Sequence, residues 1–332
     1  MNTKDIRLKL EGIIDPSVNK TLKETDGIKH IGIDSDKDIA ILIITMEKKD
    51  SESEKTLKRE IAKAIKLDLG FKGVKIQLEE RRINESIVKT NAKFLIITSG
   101  KGGVGKSTVA ANLAYYLKKN GKTVALLDAD IYGSSLPRVL DMEEGYPGVN
   151  EKGKLIPRKI KDMEIMSTEF FVEGNKPVIW RGAMLHSMMN NFFYETSWDK
   201  NLDYMVIDAP PGTGDVALDL RQIVPNAKSI VVTTPHKTAS HVAIKAGYAS
   251  VKLKQEVLGV VENMSYYYNE YSKEKDYIFG EGGGKEVAEN LNVELLAQIP
   301  INRPKHNVGL YEEDEKAGQI FNDLAKKIIE IY

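Results

Sequence analysis

Cysteine is absent from this chain of 332 residues. Its absence excludes disulfide bonds, zinc–thiolate sites, cysteine nucleophiles and any iron–sulfur cluster ligated by the chain's own cysteines. An excess of charge of either sign is also missing, because 48 Lys and Arg residues balance 48 Asp and Glu residues. A neutral chain has no bulk attraction for nucleic acid or for an anionic membrane. DNA binding would therefore need a local patch, which the sequence does not reveal.

Long hydrophobic runs are missing as well. The longest, residues 39–44, has the length of a strand, whereas a membrane-spanning helix needs about 20 apolar residues. Charged residues interrupt the N-terminal segment, which does not have the form of a signal peptide. We therefore expect a cytoplasmic protein without membrane association. The hydrophobic fraction of 42% is sufficient for a packed core.

The length favours two domains, at about 100–200 residues each. Residues 1–80 alternate helical and strand patterns and predict a small α+β domain. Residues 81–92 are polar and charged and are predicted to form a linker, followed by a larger domain over residues 93–332. Because the small domain carries no group of catalytic residues, we interpret it as a partner-docking domain.

The larger domain contains short runs rich in Val, Ile and Leu, most of them separated by helical patterns. The predicted strands are residues 94–98, 123–127, 204–207, 230–234, 257–261 and 293–299, and the helices include 106–120, 239–252 and 285–291. Continuous apolar strands alternating with helices predict an α/β fold with a doubly wound, mostly parallel sheet. Ligands of such sheets bind beyond the carboxyl ends of the strands.

A phosphate-binding loop follows the first of these strands. Its predicted nucleotide-binding residues are Gly100, Lys101, Gly102, Gly103, Val104, Gly105, Lys106, Ser107 and Thr108. This segment matches G-x-x-x-x-G-K-[ST], in which backbone N–H groups and the helix N-terminus hold phosphate oxygens. Lys106 neutralises the β- and γ-phosphates, and Ser107 is a candidate Mg²⁺ ligand. The alternative, a chance glycine-rich turn, is disfavoured because a strand precedes the loop and a helix follows it.

Carboxylates follow two more of the predicted strands. Asp128 and Asp130 come after residues 123–127, and Asp208 comes after residues 203–207. An aspartate at a strand end is often only a turn or cap residue. Two such ends downstream of a phosphate loop favour a catalytic site.

Lys101, directly after the first glycine, makes the loop similar to the deviant phosphate loop of ParA/MinD, nitrogenase-iron-protein and Mrp/ApbC ATPases. In that class this lysine contacts the partner's phosphates in a nucleotide-sandwich homodimer; a solvated surface lysine is the alternative. The resemblance implies that Asp130 orients the attacking water, with Asp128 supporting the metal shell. It also implies that Asp208 holds Mg²⁺ through water.

Further segments narrow the resemblance to the Mrp/ApbC family of iron–sulfur cluster carriers with ATPase activity. They are residues 128–133 (DADIYG), 180–182 (WRG), 208–215 (DAPPGTGD), 261–265 (VENMS) and 279–284 (FGEGGG). The family implies hydrolysis of ATP to ADP and phosphate with Mg²⁺, and adenine recognition by Asn263. A ParA/MinD partitioning ATPase fits the phosphate loop alone, but residues 208–215 and 279–284 argue against it. A fused arsenite-pump ATPase is disfavoured, because the chain has one phosphate loop.

One departure from the family pattern concerns its cargo. Cluster-carrying members have a C-x-x-C pair between the segments that correspond to residues 261–265 and 279–284. In this chain the pair would fall on Asn269 and Ser272. Amide and hydroxyl groups are poor ligands for a sulfide cluster. Cys-less members resemble SalA-type regulators, so we favour a nucleotide-switched regulator or scaffold acting on another protein or on DNA. The alternative is the family role of ATP-dependent cluster transfer, through other ligands or a partner.

Two weaker patterns allow two interpretations each. The glycines of residues 280–284 could form a second phosphate cradle, but a tight turn before a helix is favoured. The tyrosines of residues 266–271 could bind a partner or pack over the dimer seam.

Overall fold

The computed structural model describes residues 3–25, 27–34, 37–46, 51–80, 87–131, 133–172, 182–212, 214–269, 271–306 and 309–332. The chain forms two compact units, Met1–Asn84 and Glu85–Tyr332. Of the predicted linker, residues 81–86 lie outside the described residues. Ile87 opens a 3₁₀ turn, Ile87–Lys89, and is buried in the core of the larger unit.

The small unit packs helices against a three-stranded sheet. Its elements are α1 (Thr3–Glu11), β1 (Ile14–Asp15), β2 (Lys20–Thr21), β3 (Ile28–Asp34), β4 (Ile39–Met46), α2 (Ser51–Lys63), a π-helical turn (Ala64–Asp68) and β5 (Gly73–Glu80). Strand β4 lies in the middle, antiparallel to β3 and parallel to β5. Its residues Ala40, Leu42 and Ile44 alternate toward the core, as the period of two along a strand requires.

The larger unit begins with β6, the strand that leads into the phosphate loop. Its elements are β6 (Lys93–Ser99), α3 (Lys106–Lys119), β7 (Val124–Asp128), α4 (Leu136–Val139), β8 (Gly148–Val149), β9 (Leu155–Ile156), β10 (Arg158–Ile160), β11 (Met163–Ser167), a 3₁₀ helix (Thr168–Phe171), α5 (Gly182–Tyr194), β12 (Tyr204–Asp208), α6 (Asp215–Ile223), β13 (Lys228–Thr233), α7 (Lys237–Lys252), β14 (Val257–Glu262), β15 (Tyr267–Tyr268), β16 (Lys275–Asp276), α8 (Gly283–Leu291), β17 (Glu294–Gln298) and α9 (Lys316–Ile331).

Eight of these strands form one sheet, in the order β10-β11-β7-β12-β6-β13-β14-β17. Every neighbouring pair is parallel except β10 with β11. Strands β7 and β12 are buried along their whole length, because helices cover the sheet. The predicted α/β fold with a mostly parallel sheet is confirmed. Strands β10 and β11 were not among the predicted strands.

The sheet register brings the predicted strand ends together. Asp208, the last residue of β12, pairs with Asp128 at the end of β7 and with Ile97 of β6, just before the phosphate loop. The carboxyl ends of three adjacent strands therefore meet at one edge, where ligands of such sheets bind.

Within the described ranges, every helix is too short or too polar to cross a lipid bilayer.

Candidate functional site

The phosphate loop joins β6 to α3, and close packing fixes two of its glycines. Gly105 has φ of 79° and precedes the first residue of α3. A Cβ there would lie 2.1 Å from Asn263 Nδ2. A Cβ on Gly100 would lie 2.2 Å from the carbonyl carbon of Val242, in the backbone of α7. These glycines therefore let the loop lie against its neighbours in a conformation that a side chain would prevent.

Lys106 is the charged centre of the site. Only 6% of the residue is exposed, and its Nζ lies 2.5 Å from Asp208 Oδ1 and 3.5 Å from Asp130 Oδ2. The first residue of α3 thus contacts the ends of two strand–loop segments that are distant in sequence. A buried ammonium group needs such paired carboxylates, since an unpaired buried charge is strongly unfavourable.

Asp128 is fully buried and holds the neighbouring loops. Its Oδ2 accepts hydrogen bonds from the backbone N–H groups of Ser135 (3.1 Å) and Leu136 (3.2 Å), and from Ser167 Oγ (3.0 Å). Its Oδ1 accepts one from the N–H of Asp130 (3.3 Å). Burial, and secondly the charge of Asp208, raises the pKa of Asp128 to about 8. Asp128 thus sets the positions of the residues around the site.

Two oxygen atoms fit the predicted Mg²⁺ site. Asp208 Oδ2 is buried and has no hydrogen-bond partner among the described residues. Ser107 Oγ lines the cavity and accepts a hydrogen bond from Ser135 Oγ at 2.9 Å. Burial raises the pKa of Asp208, and the charge of Lys106 opposes this rise. Hydroxyl and carboxylate oxygens are the donors that Mg²⁺ prefers, so both residues fit this ion.

A cavity of about 750 Å³ lies over the phosphate loop. Of the predicted site residues, it is lined by Lys101, Gly102, Gly103, Gly105, Lys106, Ser107, Thr108 and Asp130. Lys101 is exposed, while Lys106 is buried. Four predicted site residues do not line the cavity: Gly100, Val104, Asp208 and Asn263. Asp208 nevertheless contacts Lys106, which does line it. The size and the glycine-rich wall suit a phosphorylated ligand.

Asn263, directly after β14, supports the phosphate loop. It is 7% exposed, and its Nδ2 donates a hydrogen bond to the carbonyl oxygen of Val104 at 2.9 Å. The side chain that the resemblance assigns to adenine thus also holds the backbone of the phosphate loop.

Several site residues were not predicted from the sequence. Ser135 contacts Ser107, and Ser167 contacts Asp128. The cavity is also lined by Ser99, Gly133, Ser135, Val139, Pro210, Pro211, Gly214 and Val216. The two prolines and Gly214 belong to the predicted segment 208–215, so their neighbourhood was detectable. Single serines in loops give no such signal, because only the folded chain brings them to the site.

Four residues of the motifs that carry the family resemblance, Tyr132, Trp180, Arg181 and Thr213, lie outside the described residues. The glycine run of residues 280–284 is described. Its Gly284 N–H donates a hydrogen bond to Glu262 Oε2, and α8 begins at Gly283. A buried carboxylate therefore occupies the start of α8, which agrees with a turn before a helix and disfavours a second phosphate cradle.

The predicted position of the C-x-x-C pair lies in the loop of a small hairpin, β15–β16. Asn269 Oδ1 accepts hydrogen bonds from the backbone N–H groups of Tyr271 (2.9 Å) and Ser272 (3.2 Å). Ser272 Oγ accepts one from the N–H of Glu274 at 3.4 Å. Asn269 thus forms an Asx turn, which is what this residue type favours. These side chains stabilise the loop and do not form a cluster ligand set.

The tyrosines around this hairpin differ in their exposure. Tyr266 is buried against Tyr277, and Lys275 Nζ lies 4.2 Å from the centre of the Tyr266 ring. Tyr271 is fully exposed and Tyr267 is 44% exposed.

Among the described residues, no group of three or more His, Asp or Glu side chains is arranged to hold a metal ion.

Comparison with known proteins identifies the family. The family model described as "ParA: NUBPL iron-transfer P-loop NTPase" matches residues 90–329. An iron–sulfur cluster carrier protein of Bacillus subtilis (strain 168) is 41% identical over 95% of this chain and 94% of its own length. One from Haemophilus influenzae is 37% identical over 84% of this chain and 76% of its own.

Solved structures have a similar fold. A nucleotide-binding protein of Archaeoglobus fulgidus in complex with ADP is 33% identical, with a TM-score of 0.55 over 71% of this chain and 87% of its own. The cell division ATPase MinD of Pyrococcus furiosus is 21% identical, with a TM-score of 0.52 over 73% of this chain and 100% of its own, and shares the fold. The resemblance to Mrp/ApbC proteins is confirmed: the chain belongs to the ParA/NUBPL family of iron-transfer P-loop NTPases, together with the curated iron–sulfur cluster carrier proteins.

Proposed function

We propose that this protein binds Mg-ATP, hydrolyses it as a homodimer, and uses its nucleotide state as a regulatory or scaffolding switch. The observation that carries the ATPase proposal is the position of Lys106, which lies beside Asp208 and Asp130 on the wall of the cavity. The buried, unpaired Asp208 Oδ2 and the Ser107 hydroxyl support a Mg²⁺ site next to it.

In the proposed reaction, loop N–H groups and Lys106 bind the phosphates of ATP, and Ser107 and Asp208 hold the metal. Bound Mg²⁺ supplies positive charge to the transferring phosphoryl group. Asp130 orients the water that attacks the γ-phosphate, and Asn263 contacts adenine. Lys106 exchanges its carboxylate partners for phosphate oxygens when ATP binds, so the loops that carry these carboxylates respond to the ligand.

The homodimer is proposed because Lys101 is exposed on the wall of the cavity and makes no ion pair with any other residue that the structure describes. An exposed lysine on the cavity wall can contact phosphates bound by a second copy. Hydrolysis would then depend on assembly, since part of the charge stabilisation arrives with the partner.

The regulatory role rests on the chemistry of the hairpin. The chain has no cysteine, and Asn269 and Ser272 hydrogen-bond within their own loop. A labile iron–sulfur cluster needs soft thiolate ligands, which this position does not offer. Output through a protein partner, with the small unit as its docking domain, is compatible with an intact phosphate site and needs no cluster. We expect the protein to act in the cytoplasm.

The second candidate is ATP-dependent iron–sulfur cluster transfer with other ligands or a partner's ligands. It is favoured by the 41% identity to a Bacillus subtilis protein named as an iron–sulfur cluster carrier, over almost the whole chain.

Anaerobic reconstitution with iron and sulfide, followed by metal and sulfide analysis and an ATPase assay, separates the two. We expect phosphate release from ATP with Mg²⁺ and no stoichiometric cluster. A cluster that forms and passes to an acceptor apoprotein would favour the carrier role. Absence of ATP hydrolysis would overturn both.

A further inference from the structure

A second cavity, of about 660 Å³, opens between α4 and the 3₁₀ helix Thr168–Phe171. We call it the α4 groove. Its wall contains apolar surface from Met142, Tyr146 and Phe170, of which Tyr146 is 62% exposed. An exposed aromatic residue beside apolar surface is typical of a site that binds another protein.

The rim of the α4 groove is acidic. Asp141, Glu143 and Glu144 line it and are exposed, and Glu169 lines it from the 3₁₀ helix. One cation among the lining residues, Arg138, pairs with Glu169 through Nε and Oε1 at 2.7 Å. Four carboxylates therefore outnumber the guanidinium groups of Arg138 and of Arg158, which contacts the same wall, and the groove favours a cationic ligand.

Glu169 retains an unused acceptor. Its Oε2 is buried and has no hydrogen-bond partner among the described residues, although Oε1 is engaged by Arg138. A buried carboxylate oxygen without a donor is unfavourable, and a ligand's donor reaches it only when the wall of the groove moves.

The chain itself shows how this wall binds a guanidinium group. Arg158 lies 4.8 Å over the ring of Phe170, and its Nη1 donates hydrogen bonds to the carbonyl oxygens of Glu143 (2.7 Å) and Gly145 (3.2 Å). Stacking on an aromatic ring together with planar hydrogen bonding is characteristic of arginine.

Both walls of the α4 groove are attached to one carboxylate of the nucleotide site. Asp128 Oδ2 accepts hydrogen bonds from the N–H of Leu136, which begins α4, and from Ser167 Oγ. Ser167 Oγ in turn accepts a hydrogen bond from the N–H of Glu169. Ser135, directly before α4, donates to Ser107 Oγ. Changes at Ser107 or beside Asp128 can therefore move both walls.

We propose that the α4 groove docks an arginine- or lysine-bearing segment of a partner protein, and that nucleotide binding changes its affinity for that segment. The coupling rests on the proposed function, because it needs a ligand at Ser107 and Lys106. The docking does not, since it follows from the charge and shape of the groove. By reciprocity, the segment changes nucleotide affinity by the same factor.

The probe is a short fluorescein-labelled peptide of alternating arginine and leucine, titrated by anisotropy against the full chain. Peptides with glutamine or glutamate in place of arginine are the probe controls. The groove variant is Asp141→Asn/Glu143→Gln/Glu144→Gln, which removes three exposed charges. The matched control is Glu281→Gln/Asp323→Asn/Glu330→Gln, which removes three exposed charges elsewhere.

We expect the groove variant to bind the arginine peptide about tenfold more weakly, and the matched control to bind as the wild type does. Equal affinity of the two variants, absence of binding, or equal binding of the glutamine peptide would overturn the docking proposal. Circular dichroism of both variants shows whether the fold is kept.

To test the coupling, peptide binding is measured in the same samples after an Mg-ATP analogue is added. Binding of a fluorescent ATP analogue is measured in parallel. We expect the analogue to change peptide affinity about fivefold or more, and Ser135→Ala to reduce that change while keeping peptide binding. If ATP binds and peptide affinity does not respond, the coupling is wrong. If ATP does not bind, the proposed function fails, and the docking result still stands by itself.

Discussion

Lys106 faces Asp208 and Asp130 with a single ammonium group, and this competition defines the chemistry of the site. When ATP binds, its phosphate oxygens must displace these carboxylates from Lys106 or share Lys106 with them. We expect Lys106→Ala to reduce hydrolysis by at least about 10²-fold and to weaken ATP binding, because charge stabilisation at the phosphates is lost. Phosphate release and binding of a fluorescent ATP analogue are the measurements.

Lys101→Ala is the comparison variant, since it removes the exposed lysine of the same loop. It should lose more turnover than binding, if Lys101 acts on the partner's nucleotide. Normal turnover in Lys106→Ala would contradict the assignment of the site. Wild-type turnover in Lys101→Ala would leave Lys101 as a solvated surface residue.

Glu164 provides a pH-dependent signal away from the nucleotide cavity. It is 9% exposed in β11, and burial raises its pKa, opposed by a hydrogen bond from the N–H of Asp199. A raised pKa in the folded state means that the folded chain holds this proton more tightly than the unfolded chain. The stability from this group is therefore present below the unfolded pKa and is lost as the pH rises through the folded pKa.

We expect Glu164→Gln to reduce this loss, because the amide oxygen can still accept from Asp199 without carrying a charge. Urea unfolding of both proteins between acidic and neutral pH measures the difference. The stability of the variant relative to the wild type should increase with pH. A constant difference across the range would mean that Glu164 does not titrate in the folded state in this way.

The site residues that could be predicted from the sequence are those that belong to a pattern of neighbouring residues. Residues 100–108 form a contiguous pattern, and Asp130 and Asp208 follow apolar strands, so their positions near one edge could be predicted. Ser135 and Ser167 could not, because each reaches the site through a hydrogen bond to a residue distant in sequence. The same holds for the bond between Asn263 and Val104, which no local pattern indicates.

Among the elements, the continuous apolar strands were predictable and β11 was not. Its sequence, Met163–Ser167, contains a glutamate, yet all five residues are buried. Glu164 is accommodated because the N–H of Asp199 contacts its Oε2 and Lys159 lies 3.9 Å from its Oε1. Such compensation by the tertiary structure overrides a pattern-based prediction. In the small unit, the helix that begins at Ser51 is α-helical to Lys63 and then π-helical to Asp68.

The hairpin β15–β16 allows a gain-of-function test of the cargo hypothesis. Asn269 and Ser272 lie at the positions where cluster-carrying relatives are expected to have cysteines, and both are in the loop. We expect Asn269→Cys/Ser272→Cys to bind iron and sulfide on anaerobic reconstitution, because thiolates supply the missing soft ligands. Iron and sulfide analysis with visible absorption measures the result.

The control is Lys285→Cys/Glu289→Cys, an exposed pair one turn apart on α8. It offers the same number of thiols at a different place and should bind little iron. Equal loading of both variants would show non-specific thiol chemistry. No loading of the hairpin variant would mean that the loop geometry, and not only the missing cysteine, prevents cluster binding.

At the scale of the whole molecule, the proposed dimer predicts that two inactive variants restore activity when they are mixed. Lys101→Ala lacks the lysine that acts on the partner, and Asp130→Ala lacks the residue that orients water in its own site. Each homodimer should be nearly inactive. In a mixed dimer, the Lys101→Ala protomer keeps its own Asp130 and receives Lys101 from its partner, so one of its two sites is complete.

Random pairing of equal amounts gives mixed dimers in half of the population, and one active site in each of these. The mixture should therefore recover roughly a quarter of wild-type activity, provided that the protomers exchange. Phosphate release is measured before and after mixing, with each variant alone at the same total concentration. If the mixture is only as active as the two variants separately, Lys101 acts within its own protomer or not at all. Recovery to the expected level requires that a site be built from two chains, and nucleotide hydrolysis then reports directly on assembly.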